Sequence, residues 1–121
     1  MLKTILKEDP ELRHTLIALR RAARDHKAPV WGAVARGLAR PRHRVIPVNL
    51  GHLDRLAPEG ATVVVPGKVL AAGELRRPLT VAAFHFSAAA RQKIHAAGGS
   101  ALTIVELLKA RPDGSGVRIY G

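Results

Sequence analysis

The sequence has no cysteine, one methionine, one tryptophan, one tyrosine and two phenylalanines. Missing thiols exclude disulfides and thiolate metal sites, and a reducing compartment is compatible with that. Asn49 and Gln92 are the only side-chain amides, a scarcity associated with hot habitats. No apolar run approaches the roughly 18 residues of a membrane span. The opening MLKTILKEDPEL reaches acidic residues after a few apolar ones, so no secretory signal is expected. Negative charge is also scarce: nine acids stand against twenty Lys and Arg, for a net charge of +11 and a pI of about 11.5. That imbalance is silent about fold, but it selects polyanionic partners, either nucleic acid or an anionic membrane surface. Fourteen of the twenty cations are arginine. Its planar fork of donors matches phosphate and stacks on bases, which favours nucleic acid over lipid.

What is present suits one compact domain: 121 residues, 47% of them hydrophobic. Asp9-Pro10-Glu11 is a helix start, with a capping acid, a proline at the first helical position and an acid at the positive dipole end. Leu12, Leu16, Leu19 and Ala23 follow at helical spacing. Arg13, Arg20, Arg24 and Lys27 form a second stripe about 80° away. The helix is expected to end near Lys27, ahead of Pro29. A second helix is expected over residues 29–40, with Val30, Val34 and Leu38 four apart and Trp31 in the core beside them. Pro41 closes it and opens a basic loop of Arg42, His43 and Arg44.

From Val45 the pattern turns α/β. Residues 45–50 read as an edge or irregular strand, because Pro47 cannot donate to a ladder. Asn49 is placed to cap a short helix. Residues 62–65 read as a buried strand that resumes at Val69-Leu70 after Pro66-Gly67. A loop over residues 71–78 leads to a strand over residues 79–86. Ser87 caps a helix that Gly98-Gly99 stops. Thr103 to Glu106 is a capping box opening a short helix before Pro112. Residues 117–120 form a last strand. The whole chain is taken as one domain: an extension (1–8), a basic helical region (9–44) and an α/β core (45–121). Residues 13–55 hold ten basic and two acidic side chains, so the helical third carries most of the field.

Chemical motifs are sparse. Gly67-Lys68 after a β-like run invites comparison with a phosphate-binding loop. However, Thr62 stands in place of the first glycine and Val69 in place of the hydroxyl residue. What remains is a glycine that permits close backbone approach beside a lysine, which suits a polynucleotide backbone. The six histidines have no metal-like spacing, and His85 is expected to pack within a strand or wedge at an interface. The serines lack a nucleophile context, and the acids suggest no acid/base pair. No catalysis, cofactor, metal or small-molecule substrate is expected. Helix 29–40 has no side chains suited to reading base edges, so sequence-specific DNA recognition is disfavoured.

The stretches RRAAR, APVWGAVARGLARPRH, VIPVNLGHLDRLAPEGATVVVPGKVLAAGEL, LTVAAFHFSAAARQKI, LTIVELL and PDGSGVRIYG together resemble the archaeal type of large-subunit ribosomal protein eighteen. That class is shared with eukaryotes and similar in fold to bacterial large-subunit protein fifteen. The resemblance spans residues 9–121. Gly51-His52 departs from the expected serine and basic or small residue, implying a differently capped turn. The resemblance implies N-terminal helices followed by an irregular strand-strand-helix domain. It also implies a cytoplasmic, structural role in the large subunit, bound to its rRNA and to neighbouring ribosomal proteins, with no membrane partner. The candidate RNA contacts are Arg13, Arg20, Arg21, Arg24, Lys27, Arg36, Arg40, Arg42, His43, Arg44, Gly67, Lys68, Arg76, Arg77 and Arg118. Charge alone would equally suit a free-standing chromatin or DNA-binding protein.

Overall fold

A computed structural model describes residues 9–40 and 46–120. The expected basic loop Arg42, His43 and Arg44, its boundary residues Pro41 and Val45, and the extension at residues 1–8 lie outside them. Two helices come first, α1 (Pro10–Asp25) and α2 (Pro29–Leu38). They are followed by β1 (Val48–Asn49), α3 (Leu50–Leu56), β2 (Thr62–Leu70), β3 (Thr80–Phe86), α4 (Ala88–Ala96), β4 (Ser100–Thr103), α5 (Ile104–Ala110) and β5 (Val117–Ile119).

Every strand pairing among the described residues is parallel. The order runs β1, β2, β3, β4, and β5 joins the same edge of β2 as β1, opposite Thr62 to Val64. A parallel sheet needs both faces covered, which explains why Val63-Val64-Val65 is apolar without alternation. Val64 and Ala82 enter a core with Leu16, Leu19, Trp31, Val34 and Leu107, supplied by α1, α2 and α5. Val63, Val65, Val69, Val81 and Ala83 enter a second core with Leu50, Leu53, Ala90 and Ile94, supplied by α3 and α4. The result is a three-layer α/β/α sandwich.

The local stop and start signals work as short-range chemistry requires. Asp9 accepts from the Leu12 amide at 3.0 Å, and Ser87 accepts from that of Ala90 at 3.1 Å. Helix α1 ends at Asp25, two residues before Lys27. Lys27 takes a left-handed φ of 48°, and the Ala28 amide reaches back to the Ala23 carbonyl at 3.1 Å. That bond pattern is a Schellman-type stop. Trp31 is fully buried, and its indole Nε1 donates to the Pro112 carbonyl at 2.8 Å, tying α2 to the C-terminal turn.

Four expectations change. Asn49 holds the N-cap position of α3 but makes no side-chain capping bond. The Gly51 amide instead donates to the Ala72 carbonyl at 2.9 Å. Gly51 and Gly73 touch so closely that a Cβ on Gly73 would fall 2.7 Å from the Gly51 Cα. The departure at Gly51 is thus a backbone contact that only glycine allows. The strand expected over residues 45–50 is described only as Val48–Asn49. The pieces at 62–65 and 69–70 form one strand, not two, with a bulge between Val65 and Lys68. Ser100–Thr103 is a strand that local patterning did not predict, paired with Thr80 to Ala83.

Candidate nucleic-acid interface

Helix α1 buries Leu12, Thr15, Leu16 and Leu19, which turns Arg13, Arg20 and Arg24 outward along one line. All three are exposed. Arg24 pairs with the adjacent Asp25 at 3.1 Å, with both side chains at least half exposed. Such a pair is weakly held and open to exchange for phosphate. Ile17, 46% exposed, stands among these arginines. Lys27 leaves the stripe, because the chain has turned into its left-handed stop by then. Arg21 is exposed on another side of α1, beside a shallow groove with His14, His26 and Lys109. Arg36 and Arg40 are exposed on and just beyond α2.

The carboxyl ends of the strands form a second basic region. The bulge puts Pro66 and Gly67 opposite the single residue Phe84, because Val65 pairs Ala83 and Lys68 pairs His85. Pro66 is pressed under α2, where a Cβ on Gly37 would fall 2.7 Å from the Pro66 Cγ. Gly67 is buried and only Lys68 of the three is exposed. The expectation that Pro66-Gly67 presents exposed backbone is therefore corrected: the α2 contact covers it. His85 is exposed, not packed, with its ring centroid 4.4 Å from that of Phe84. A recess of about 500 Å³ lies here, lined by Leu12, Leu38, Arg40, Pro66, Lys68, Phe84 and neighbours. A second, of about 580 Å³, shares Arg40 and Pro47 with it and adds His52 and Arg55 from α3.

The remaining candidates are scattered. Arg76 is exposed, with Nε 3.2 Å from a Glu74 carboxylate oxygen. Arg77 is half-buried: it donates to the Asp54 carbonyl, and its Nε lies 3.9 Å from the Asp54 carboxylate. Asp54 also accepts from the Arg76 amide at 3.0 Å. Arg77 thus braces the loop after β2 against α3, which sequence could not reveal because Asp54 lies 23 residues away. Arg118 is exposed on β5. Sequence reasoning passed over His52, Arg55, His85 and Arg91. Arg91 lies on α4 with its guanidinium 4.9 Å from the Phe86 ring centroid. None carries a local signal, since each matters only through what the sheet edge puts beside it.

Among the described residues, Glu106 is the one titrating group whose surroundings clearly displace it. The Thr103 amide, donating at 2.8 Å, holds its carboxyl below the usual carboxylate range, and the Thr103 hydroxyl, Arg91 and Lys109 act in the same direction. This is a helix cap, not a catalytic acid. Among the described residues no group of three or more His, Asp or Glu is placed to hold a metal. No described helix is long and apolar enough to cross a membrane.

A family model that groups the ribosomal proteins 50S-L15 and 50S-L18e with their 60S counterpart matches residues 47–102. That span runs from the approach to β1 nearly to the end of β4. Similar proteins extend over most of the chain. Large ribosomal subunit protein eL18 of Methanopyrus kandleri is 52% identical over 114 residues, covering 90% of each chain. The eL18 of Pyrobaculum aerophilum is 48% identical over 109 residues, covering 90% of this chain and 89% of that one. The eL18 of Halobacterium salinarum is 43% identical over 113 residues, covering 93% and 97% respectively.

Proposed function

The chain belongs to the eL18 family of large ribosomal subunit proteins, and from that premise we propose that it binds large-subunit rRNA and braces it against neighbouring ribosomal proteins. Its family is one of ribosomal structural proteins, not enzymes. Its place is accordingly the large subunit of the cytoplasmic ribosome.

The observation that carries the rRNA reading is the density of exposed arginine on the first two helices. Arg13, Arg20, Arg21, Arg24, Arg36 and Arg40 are all exposed. Among the described residues only Arg24 of these has an ion-pair partner. A solvated helix face ordinarily mixes signs to limit repulsion. A face left this positive is stabilised by a polyanion, and each phosphate it neutralises releases condensed cations. Specificity follows from shape, since A-form grooves hide base edges.

The test is sedimentation of the tagged protein with large subunits through a high-salt sucrose cushion. Stoichiometric retention is the expected result. Release as free protein, with equal affinity for any duplex DNA, would overturn the reading in favour of a chromatin protein. If about six to ten phosphates are contacted, log affinity against log salt is expected to slope by roughly −4 to −9. Reversing Arg40, Arg42 and Arg44 to glutamate together is expected to abolish incorporation into subunits.

A further inference from the structure

The recess at the carboxyl edge of β2 and β3 has a construction that phosphate binding alone does not require. Unbroken strands send successive residues to opposite faces. Here Pro66, Gly67 and Lys68 from β2, and Phe84 and His85 from β3, all line the same recess. The bulge causes this: the extra residue in β2 interrupts alternation at the position facing Phe84. Inside, the wall is apolar, from Leu12, Leu38, Pro66 and the Phe84 ring; at the rim stand Arg40, Lys68 and His85. One acid is present among the lining residues, Asp9, and its Oδ1 is held by the Leu12 amide.

We propose that this recess takes one unstacked base of a single-stranded rRNA segment, with the flanking phosphates on Arg40 and Lys68. The proposal rests on the rRNA-binding reading above and adds the form of RNA and the place. A volume of about 500 Å³ lies within the roughly 300–1,000 Å³ of pockets that enclose small ligands. A duplex presents phosphates on a convex surface and keeps its bases stacked, so it would leave the apolar wall unfilled. An extruded base fills it, stacking on Phe84 in the manner of other single-strand readers. The neighbouring recess, joined through Arg40 and Pro47 and bearing His52 and Arg55, continues the path for the strand. Asp9 supplies an acceptor suited to an exocyclic amine, so adenine fits better than an unsubstituted ring.

The isotopically labelled full chain is titrated with octa-adenylate and, separately, with an abasic octamer of the same ribose-phosphate backbone. The ring signals of Phe84 and His85 are expected to move with the first and not the second, while arginine signals on α1 move with both. Phe84→Leu keeps an apolar side chain in the core but removes the stacking face. It is expected to weaken octa-adenylate binding about fivefold or more and leave the abasic affinity unchanged. Equal response to both octamers would overturn the base recess, as would preferential filling of the recess by an apolar peptide. Either result, with the chain still retained in large subunits through the salt cushion, would leave the rRNA-binding reading standing. Loss of that retention would remove both.

Discussion

On the outer face of α1, Arg13, Arg20 and Arg24 stand in line because a helical period brings them there, away from Leu12, Leu16 and Leu19. At the carboxyl edge of the sheet, Arg40, Lys68 and His85 meet from beyond α2, from β2 and from β3. Both regions are basic. The first is convex, polar but for Ile17, and continuous in sequence. The second is concave, walled with apolar side chains, and assembled from distant segments around a bulge. The helix face offers charge at a spacing and can track any phosphate ridge. The sheet edge offers charge around a cavity, and only a ligand with an apolar part fills it.

Reversing the helix face is expected to cost most. Changing Arg13, Arg20 and Arg24 together to glutamate removes about three phosphate contacts. It is expected to lower the salt slope by about 3 and rRNA affinity by roughly 100-fold or more. The urea midpoint is expected to shift little, because these side chains are exposed. Measured against duplex and single-stranded RNA alike, the loss is expected to be similar for both. A loss confined to single strands would erase the distinction drawn between the regions.

Gly37→Val separates the two regions from the other side, without touching charge. The added Cβ would fall 2.7 Å from the Pro66 ring, so α2 must lift from the bulge. Urea unfolding is expected to report about 1–3 kcal/mol of lost stability. Single-strand binding is expected to fall while duplex binding persists. Lys68→Glu is a finer probe. It is expected to weaken single-strand binding about tenfold, change duplex binding less than about twofold, and leave the thermal midpoint unchanged.

Glu106 is expected to matter least, because it serves stability alone. Thr103 holds its carboxyl below its unfolded value. Its contribution is therefore present above the ordinary glutamate range and lost as pH falls through the depressed folded value. Because the group is almost wholly solvated, Glu106→Gln is expected to leave the thermal midpoint nearly unchanged at neutral pH. It should flatten acid unfolding slightly. Neither RNA affinity is expected to change.

How much could be read in advance follows the range of each interaction. Asp9, Ser87 and Thr103 cap their helices as expected because donor and acceptor lie three residues apart. The bonding capacity of Asn49 is equally local, yet the close packing of Gly51 on Gly73 settles that turn instead. Ser100–Thr103 escaped notice because a four-residue strand exists only through its partner, here Thr80 to Ala83. Among candidate contacts, Arg13, Arg20 and Arg24 were legible as a stripe. Arg77 looked identical to them in sequence, and only Asp54, folded against it, shows that it braces a loop.

Charge, arginine preference, α/β character, helix stops and family could all be read from the unfolded chain, since each resides in composition or in neighbours along it. Which cations face a cavity, which are tied down, and where an apolar recess opens among them became visible only in the folded molecule. The bulge is the cause. One extra residue in β2 changes which side chains share a face, and its effect appears only when β3 is paired beside it and α2 is packed above.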